Sequence, residues 1–208
     1  MTSTTDDAHL HLREGHTGPL GHYWFLTFGD APELHALTKT CQQAIDPAFF
    51  DATPADELHL TLDRIAHDGA STPEQRASIA EAARRVCGDQ GPITLTFDQM
   101  TNLRGAVGFA VSPAESVRSL RDTLRAATLS VFPDARVKDS SSPPHVTIAY
   151  PIFEDLQARA AATAETMNTT IDGVDVVVSE VMMVALEQRG RLYSWRVIRR
   201  VPLVADLE

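Results

Sequence analysis

The sequence predicts an α+β or mixed α/β fold, because strand-like and helix-like segments alternate along most of the chain. Runs of β-prone residues, the first over 22–28, are separated by segments whose apolar residues recur at helical spacing. The chain has 208 residues, of which 43% are hydrophobic and 22% are charged. That balance is typical of one globular domain with a substantial core.

The elements are predicted in the order strand, helix, strand, helix, two strands, helix, strand, helix and hairpin. By residue they are strand 22–28, helix 31–45, strand 57–65, helix 72–87, strands 93–97 and 106–111, a helix beginning after 112, strand 145–150, helix 153–167 and strands 174–186 and 192–201. Three polar residues are predicted as helix N-caps, namely Asp30, Thr72 and Ser112. A turn at 188–190 is predicted to join the last two strands as a hairpin.

The first twenty residues are polar and lack periodicity, which predicts a mobile N-terminal tail followed by a single domain over 21–208. Four histidines crowd this region, at His9, His11, His16 and His22. No cysteine or carboxylate accompanies them at a regular ligand spacing, so we predict neither a metal nor a cofactor. A metallohydrolase that uses these histidines is the alternative.

The beginning of the sequence has no basic segment followed by an apolar one, as a secretory signal would have. The longest apolar stretch, near 176–186, is too short to span a bilayer. Only two cysteines are present, Cys41 and Cys87, which favours a reducing compartment. These observations predict a cytoplasmic protein with no membrane partner, and we expect a monomer.

The net charge is −10, which disfavours a protein that tracks along a nucleic-acid backbone. A small cyclic nucleotide or an RNA terminus stays compatible with this charge. Five of the eighteen basic residues lie within twelve positions, at Arg189, Arg191, Arg196, Arg199 and Arg200. This cluster is either a solvated strand edge, protected by charge from aggregation, or an anion-binding surface.

Two segments repeat the pattern histidine, aliphatic, threonine, aliphatic. The first begins at His59 with Thr61, and the second begins at His145 with Thr147; no other His-x-Thr triplet occurs in the chain. On a strand, alternate side chains share a face, so each histidine lies beside its threonine while the aliphatic residues pack behind. Either both pairs face solvent on ordinary amphipathic strands, or they form one site.

The two pairs together suit the chemistry of a phosphodiester. Imidazole titrates near neutrality, so one histidine can accept a proton while the other delivers one. Each threonine hydroxyl can donate a hydrogen bond to a phosphoryl oxygen. Such an arrangement supports in-line displacement at phosphorus without a metal.

The paired motifs, the second preceded by Pro143 and Pro144, resemble those of the two-histidine (2H) phosphoesterase superfamily. The closest resemblance is to the bacterial RNA 2',3'-cyclic phosphodiesterase / 2'-5' RNA ligase (LigT-like) branch. It implies a two-lobed α+β fold, with antiparallel-rich sheets around a central cleft and helices outside. It also implies that His59 and His145 are the catalytic pair and that Thr61 and Thr147 bind the phosphate.

Five other residues could also contribute to such a site. Some family members have an aromatic residue after the second motif that lines the site, and Tyr150 occupies that position; strand alternation would instead place it opposite His145, in the core. Trp24, Tyr193 and Trp195 could stack on a base, although aromatic residues on strands are usually buried. Asp63 shares the face of His59 if its strand is regular, and would then orient the histidine or repel a phosphate.

The resemblance and the residues together predict a metal-independent enzyme that opens 2',3'-cyclic phosphates to 2'-phosphomonoesters. From the sequence, either histidine could be the general acid and the other the general base. The acidic charge favours hydrolysis of small or terminal cyclic phosphates over RNA ligation. A 2'-5' RNA ligase and a non-catalytic module that binds nucleotides or RNA ends are the alternatives.

Overall fold

The computed structural model describes residues 11–137 and 142–203. The strands are β1 His16–Thr27, β2 Phe50–Ala52, β3 His59–His67, β4 Ile93–Leu103, β5 Ala106–Ser112, β6 His145–Pro151, β7 Val174–Val178, β8 Glu180–Gly190 and β9 Leu192–Pro202. The helices are α1 Pro32–Gln43, α2 Pro73–Cys87, α3 Ala114–Val131 and α4 Gln157–Met167, with a 3-10 turn at Ala55–Glu57. No helix in the described ranges is both long enough and apolar enough to cross a membrane.

The strands form two antiparallel sheets. The first has the order β3-β1-β8-β9 and the second has the order β2-β6-β5-β4-β7. Helices α2 and α3 pack on the first sheet, and α1 and α4 pack on the second. This arrangement confirms the predicted two-lobed α+β fold, in which each sheet contributes one strand that bears a motif.

One apolar core joins the two lobes. Phe28, at the end of β1, packs edge-to-face on Phe97 of β4 with ring centroids 5.3 Å apart, and Phe97 in turn contacts Phe109 of β5 at 5.8 Å. All three rings are almost fully buried. Such aromatic pairs contribute stability beyond that of the apolar area they bury. Packing between large rings therefore sets the relative position of the two sheets.

The predicted helix N-caps are confirmed in one case of three, and α4 begins at Gln157 instead of residue 153. Thr72 accepts a hydrogen bond from the amide of Gln75, whose side chain accepts one from the Thr72 amide, so the predicted capping box at α2 is confirmed. The N-cap of α1 is Ala31 rather than Asp30, and that of α3 is Pro113 rather than Ser112. Each helix therefore begins later than predicted, beyond the residue whose side chain could have capped it.

Several strand boundaries also differ from the prediction: β3 lies two residues later than predicted, and β4 continues to Leu103 instead of ending at residue 97. Strand β1 begins at His16, where the sequence predicts a tail up to residue 20, because His16 and Thr17 pair with the end of β8 through the backbone. Such pairing needs no apolar alternation, so the pattern did not signal it. The predicted single strand 174–186 is two strands: β7 pairs with β4 in the second sheet, and after Ser179 the chain continues as β8 in the first sheet.

The predicted terminal hairpin is confirmed, with β8 and β9 paired from Arg189 and Leu192 at the turn to Glu180 and Pro202 at the open end. Gly190 at the turn has a φ of 68°, in the left-handed region that glycine adopts without steric cost. The short strand β2, which pairs with the end of β6, was not predicted.

Candidate active site

The two motif strands face each other across the boundary between the sheets. Strand β3 is the outer strand of the first sheet. Strand β6 is paired with β2 only at Ala149–Pro151, so among the described residues no strand pairs with its motif half on that side. The strands are in contact. Two motifs that lie 86 residues apart in the sequence therefore meet in one place.

The two histidines are held in the same way. His59 Nδ1 lies 2.9 Å from the carbonyl oxygen of Glu57, and His145 Nδ1 lies 2.8 Å from the carbonyl oxygen of Pro143. Each carbonyl belongs to the residue two positions before the histidine. Because a carbonyl only accepts, Nδ1 carries the proton in both rings. In the neutral rings, Nε2 is then the nitrogen with a lone pair, which is the atom that proton transfer requires.

Aromatic rings surround His59. Phe25 of β1 stacks on its imidazole with centroids 4.4 Å apart and an interplanar angle of 12°, and Trp195 of β9 meets it edge-on at 4.7 Å. Burial among these rings lowers the pKa of His59 from 6.5 to about 4, because it penalises the charged imidazolium. The Glu57 carbonyl opposes this shift, whereas the nearby His145 adds to it.

A β-bulge follows the threonine in both motifs. In the first sheet Phe25 pairs with Thr61 and Trp24 pairs with Asp63, so Leu62 has no partner. In the second sheet Gly108 pairs with Thr147 and Val107 pairs with Ala149, so Ile148 has none. A bulge shifts the alternation of side chains by one position. The side of each sheet that carries the motif histidine and threonine is called the motif face below.

The first bulge removes Asp63 from the motif face, where a regular strand would have placed it. Asp63 is 4% exposed and accepts two hydrogen bonds from Arg125 of α3, with Nε at 2.7 Å and Nη2 at 3.2 Å. The expectation that Asp63 orients His59 or repels a phosphate is therefore wrong. Its carboxylate instead attaches helix α3 to the motif strand.

The second bulge brings Tyr150 onto the motif face, where regular alternation would have placed it in the core. Its hydroxyl lies near the Thr147 side chain, and its ring centroid is 5.4 Å from that of Tyr193. Burial is the main cause of a raised Tyr150 pKa, so the phenol stays neutral and can donate a hydrogen bond. The structure therefore brings Tyr150 together with the second motif.

Sequence reasoning missed Arg64, which follows Thr61 by three residues as Tyr150 follows Thr147. Its Nη2 and Nε donate to the carbonyl of Arg136 at 2.9 and 3.2 Å. Arg136 lies in the loop that leads to the second motif, so Arg64 connects that loop to the first motif strand. Only the position of the bulge could have indicated this role.

The aromatic candidates divide between core and site. Trp24 is fully buried and donates from Nε1 to Thr128 of α3 at 3.1 Å, so it cannot stack on a base. Tyr193 and Trp195 are half-buried on the motif face, beside Tyr150 and His59. Phe25 was not singled out from the sequence, although alternation along β1 places it opposite Trp24.

Three arginines of the hairpin cluster bind carboxylates. Arg189 pairs with Glu187, Arg200 Nη1 lies 2.5 Å from Glu180, and Arg191 Nε lies 2.6 Å from Asp51 of β2. The last contact links the hairpin of the first sheet to the second sheet. The cluster thus agrees better with a charged strand edge than with an anion-binding surface.

A small cavity of about 30 Å³ lies where the two motifs meet. It is lined by Thr61 and His145, by the segment 142–144 before the second motif, and by Arg118 and Arg121 of α3. No set of three or more histidine, cysteine, aspartate or glutamate side chains converges as a metal site in residues 11–137 and 142–203. Of the four clustered histidines, His9 lies outside the described residues.

Solved structures of other proteins share this fold. No curated protein matches the sequence. E. coli LigT in its apo form is similar, with 17% identity and a TM-score of 0.64 over 90% of this chain and 99% of LigT. LigT complexed with 3'-AMP has 19% identity and a TM-score of 0.63 over 89% and 98%. The protein TT0787 of Thermus thermophilus has 16% identity and a TM-score of 0.65, again over 89% and 98%.

A family model described as the 2'-5' RNA ligase superfamily matches residues 48–188. This range includes both His-x-Thr motifs and the strands that carry them. Because it is more than half of the chain, the protein belongs to the 2'-5' RNA ligase superfamily, the two-histidine phosphoesterases.

Proposed function

We propose that this protein is a metal-independent phosphodiesterase that opens a 2',3'-cyclic phosphate to a 2'-phosphomonoester. The observation that carries the proposal is the matched pair of histidines, each with Nδ1 on a backbone carbonyl and a threonine beside it. Pre-positioned proton donors and acceptors of this kind typically accelerate a reaction by about 10²–10⁴-fold.

The environment of His59 favours it as the general base. Its pKa of about 4 keeps the imidazole neutral at pH 7, so Nε2 can take the proton of the attacking water. The water oxygen then forms a bond to phosphorus as the bond from phosphorus to the 3'-oxygen breaks. His145, acting as the imidazolium, donates the proton on its Nε2 to that departing oxygen. The general base must be neutral and the general acid must be protonated, so two histidines in the same protonation state could not perform both steps. A difference in environment between the two histidines therefore favours the reaction.

The threonines and Tyr150 supply the remaining polar groups. The hydroxyls of Thr61 and Thr147 lie two residues along the strand from the histidines, where they can donate to the two non-bridging oxygens of the phosphate. Charge develops on these oxygens in the transition state, so donors held in place stabilise it without further reorganisation. Tyr150, next to Thr147, can orient that hydroxyl or donate directly.

Half-buried aromatic residues border the histidines and suit a nucleoside. Trp195 and Tyr193 lie on the motif face, and stacking of a base on an aromatic ring contributes about 1–3 kcal/mol. E. coli LigT has been crystallised with 3'-AMP, with ATP and with NADP+. A nucleotide or an RNA terminus is therefore the substrate class we propose, without a metal or another cofactor.

The test is incubation with adenosine 2',3'-cyclic phosphate, with and without EDTA, followed by ³¹P NMR. We expect the wild type to form only the 2'-phosphate, and we expect His59→Ala and His145→Ala to be slower by at least about 100-fold. His16→Ala, which removes an exposed histidine at the start of β1, is the matched control. Full activity in either motif variant would contradict the mechanism.

Two other outcomes distinguish the alternatives. Formation of a 2'-5' bond between an RNA cyclic phosphate end and a 5'-hydroxyl end would identify a ligase, in which the 5'-hydroxyl replaces water as the nucleophile and the histidines keep the same roles. Tight binding of the cyclic nucleotide without turnover would identify a binding module.

A further inference from the structure

One side chain of helix α1 connects the segment before the first motif to the second motif. Gln42, next to the last residue of α1, is half-buried. Its Nε2 donates to the carbonyl oxygen of Thr53 at 2.8 Å and to that of Ile148 at 2.9 Å. A side-chain amide nitrogen carries two N–H groups, so each of them has one of these carbonyls as its acceptor. A single amide group therefore holds two segments that are distant in the sequence.

The first acceptor lies on the segment that leads to His59. Thr53 follows strand β2, and the 3-10 turn Ala55–Glu57 then leads to the motif strand β3. The carbonyl of Glu57, at the end of this turn, is the group that holds Nδ1 of His59. The contact from Gln42 to Thr53 therefore restrains the chain just before the first motif.

The second acceptor is the bulge residue of the second motif. Ile148 has no partner in β5, and its carbonyl accepts from the Thr53 amide at 2.9 Å as well as from Gln42. Strand β2 pairs with β6 at Ala149–Pro151, so Ile148 lies next to the end of this pairing. Gln42 thus supplies a donor where strand pairing stops on that side of β6. Because this bulge brings Tyr150 onto the motif face, a contact to it restrains the second motif.

The two restraints act together on the geometry of the site. Each histidine belongs to a different sheet, so proton transfer at one phosphate depends on how the two motifs are placed relative to each other. A displacement of about 1 Å at such a site can lower a rate by about 100-fold. We propose that Gln42 is a positioning residue, which fixes the separation of His59 and His145 by binding the backbone next to both motifs. This inference rests on the proposed function, because it assumes that both histidines act on the same phosphate.

The experiment replaces the amide and keeps the side chain unbranched and of similar length. Gln42→Met removes both donors, and Gln43→Met, at the exposed neighbouring position, is the matched control. With adenosine 2',3'-cyclic phosphate as the substrate, we expect Gln42→Met to lower kcat by about tenfold or more. KM should change little, because the groups that contact the substrate are still present and only the geometry of the transition state is lost. The control should keep the wild-type kcat.

The NMR signals of the His59 and His145 rings give a readout that does not depend on turnover. We expect these ring signals to shift in Gln42→Met and to keep their wild-type positions in Gln43→Met. A loss of stability alone does not move them while the protein is folded, and circular dichroism verifies that it is. Unchanged signals of both rings in Gln42→Met would overturn the proposal, and so would an unchanged kcat in an active enzyme.

Failure to fold and failure of the proposed function give different results. If Gln42→Met does not fold, Gln42→Asn takes its place: it keeps an amide but withdraws the donors by one methylene, so the same changes in kcat and in the ring signals are expected. If the wild type cleaves no cyclic phosphate, the proposed function is wrong, and the ring signals still test Gln42.

Discussion

The low pKa of His59 makes the acid limb of the pH–rate profile the most informative measurement on this protein. Two aromatic rings, Phe25 and Trp195, cover the imidazole, and burial lowers its pKa from 6.5 to about 4. At 1.36 kcal/mol per pH unit, this difference corresponds to about 3 kcal/mol against the imidazolium. As the general base, His59 loses activity only when it is protonated, so the wild type should stay active well below pH 6.5.

Removing one of the covering rings tests the cause of the shift. Trp195 is half-buried, so Trp195→Ala admits water to the imidazole without opening the main core. The charged form is then better solvated, and we expect the acid limb of kcat/KM to move to higher pH by about one unit. Trp195→Phe keeps a ring over His59 and should leave the limb near its wild-type position.

The assay is the pH dependence of kcat/KM, which reports the pKa values of the free enzyme. Titration of the His59 ring protons by NMR measures the same pKa without relying on activity. The explanation would be refuted if His59 titrated near 6.5 in the wild type. It would also be refuted if Trp195→Ala and Trp195→Phe moved the acid limb equally.

Three further changes test the structure around the site. Asp63→Ala removes the buried carboxylate that joins α3 to β3 through Arg125 and should lower the free energy of unfolding in urea by about 3 kcal/mol; a loss no larger than that of an exposed ion pair would contradict the anchoring of α3. Gly108→Ala places a Cβ 2.9 Å from Thr147 Cα and against the β6 backbone, so kcat should fall together with thermal stability; an unaltered crystal structure of the variant would show that the bulge tolerates the methyl group. Thr72→Ala should cost about 1 kcal/mol in the same urea titration and leave kcat/KM unchanged.

Most of the elements were predictable because each of these depends on a local pattern. The amphipathic spacing of Leu120 and Leu124 in α3, and the capping box at Thr72, involve contacts within a few residues. The boundaries at His16 and Ser179 depend instead on which strand the backbone pairs with. Backbone pairing leaves little trace in side-chain patterns, so these boundaries could not be read from the sequence.

The sequence by itself determined which residues could do the chemistry. Two His-x-Thr motifs on strands identify His59, His145, Thr61 and Thr147 as candidates, since alternation places each pair on one face.

The tertiary structure alone decided what surrounds them. Bulges at Leu62 and Ile148 turn Asp63 towards helix α3 and bring Tyr150 onto the motif face, against regular alternation. Burial of His59 between rings from β1 and β9 distinguishes it from His145. Both effects arise from contacts between strands that are distant in the sequence, and therefore neither has a local signal.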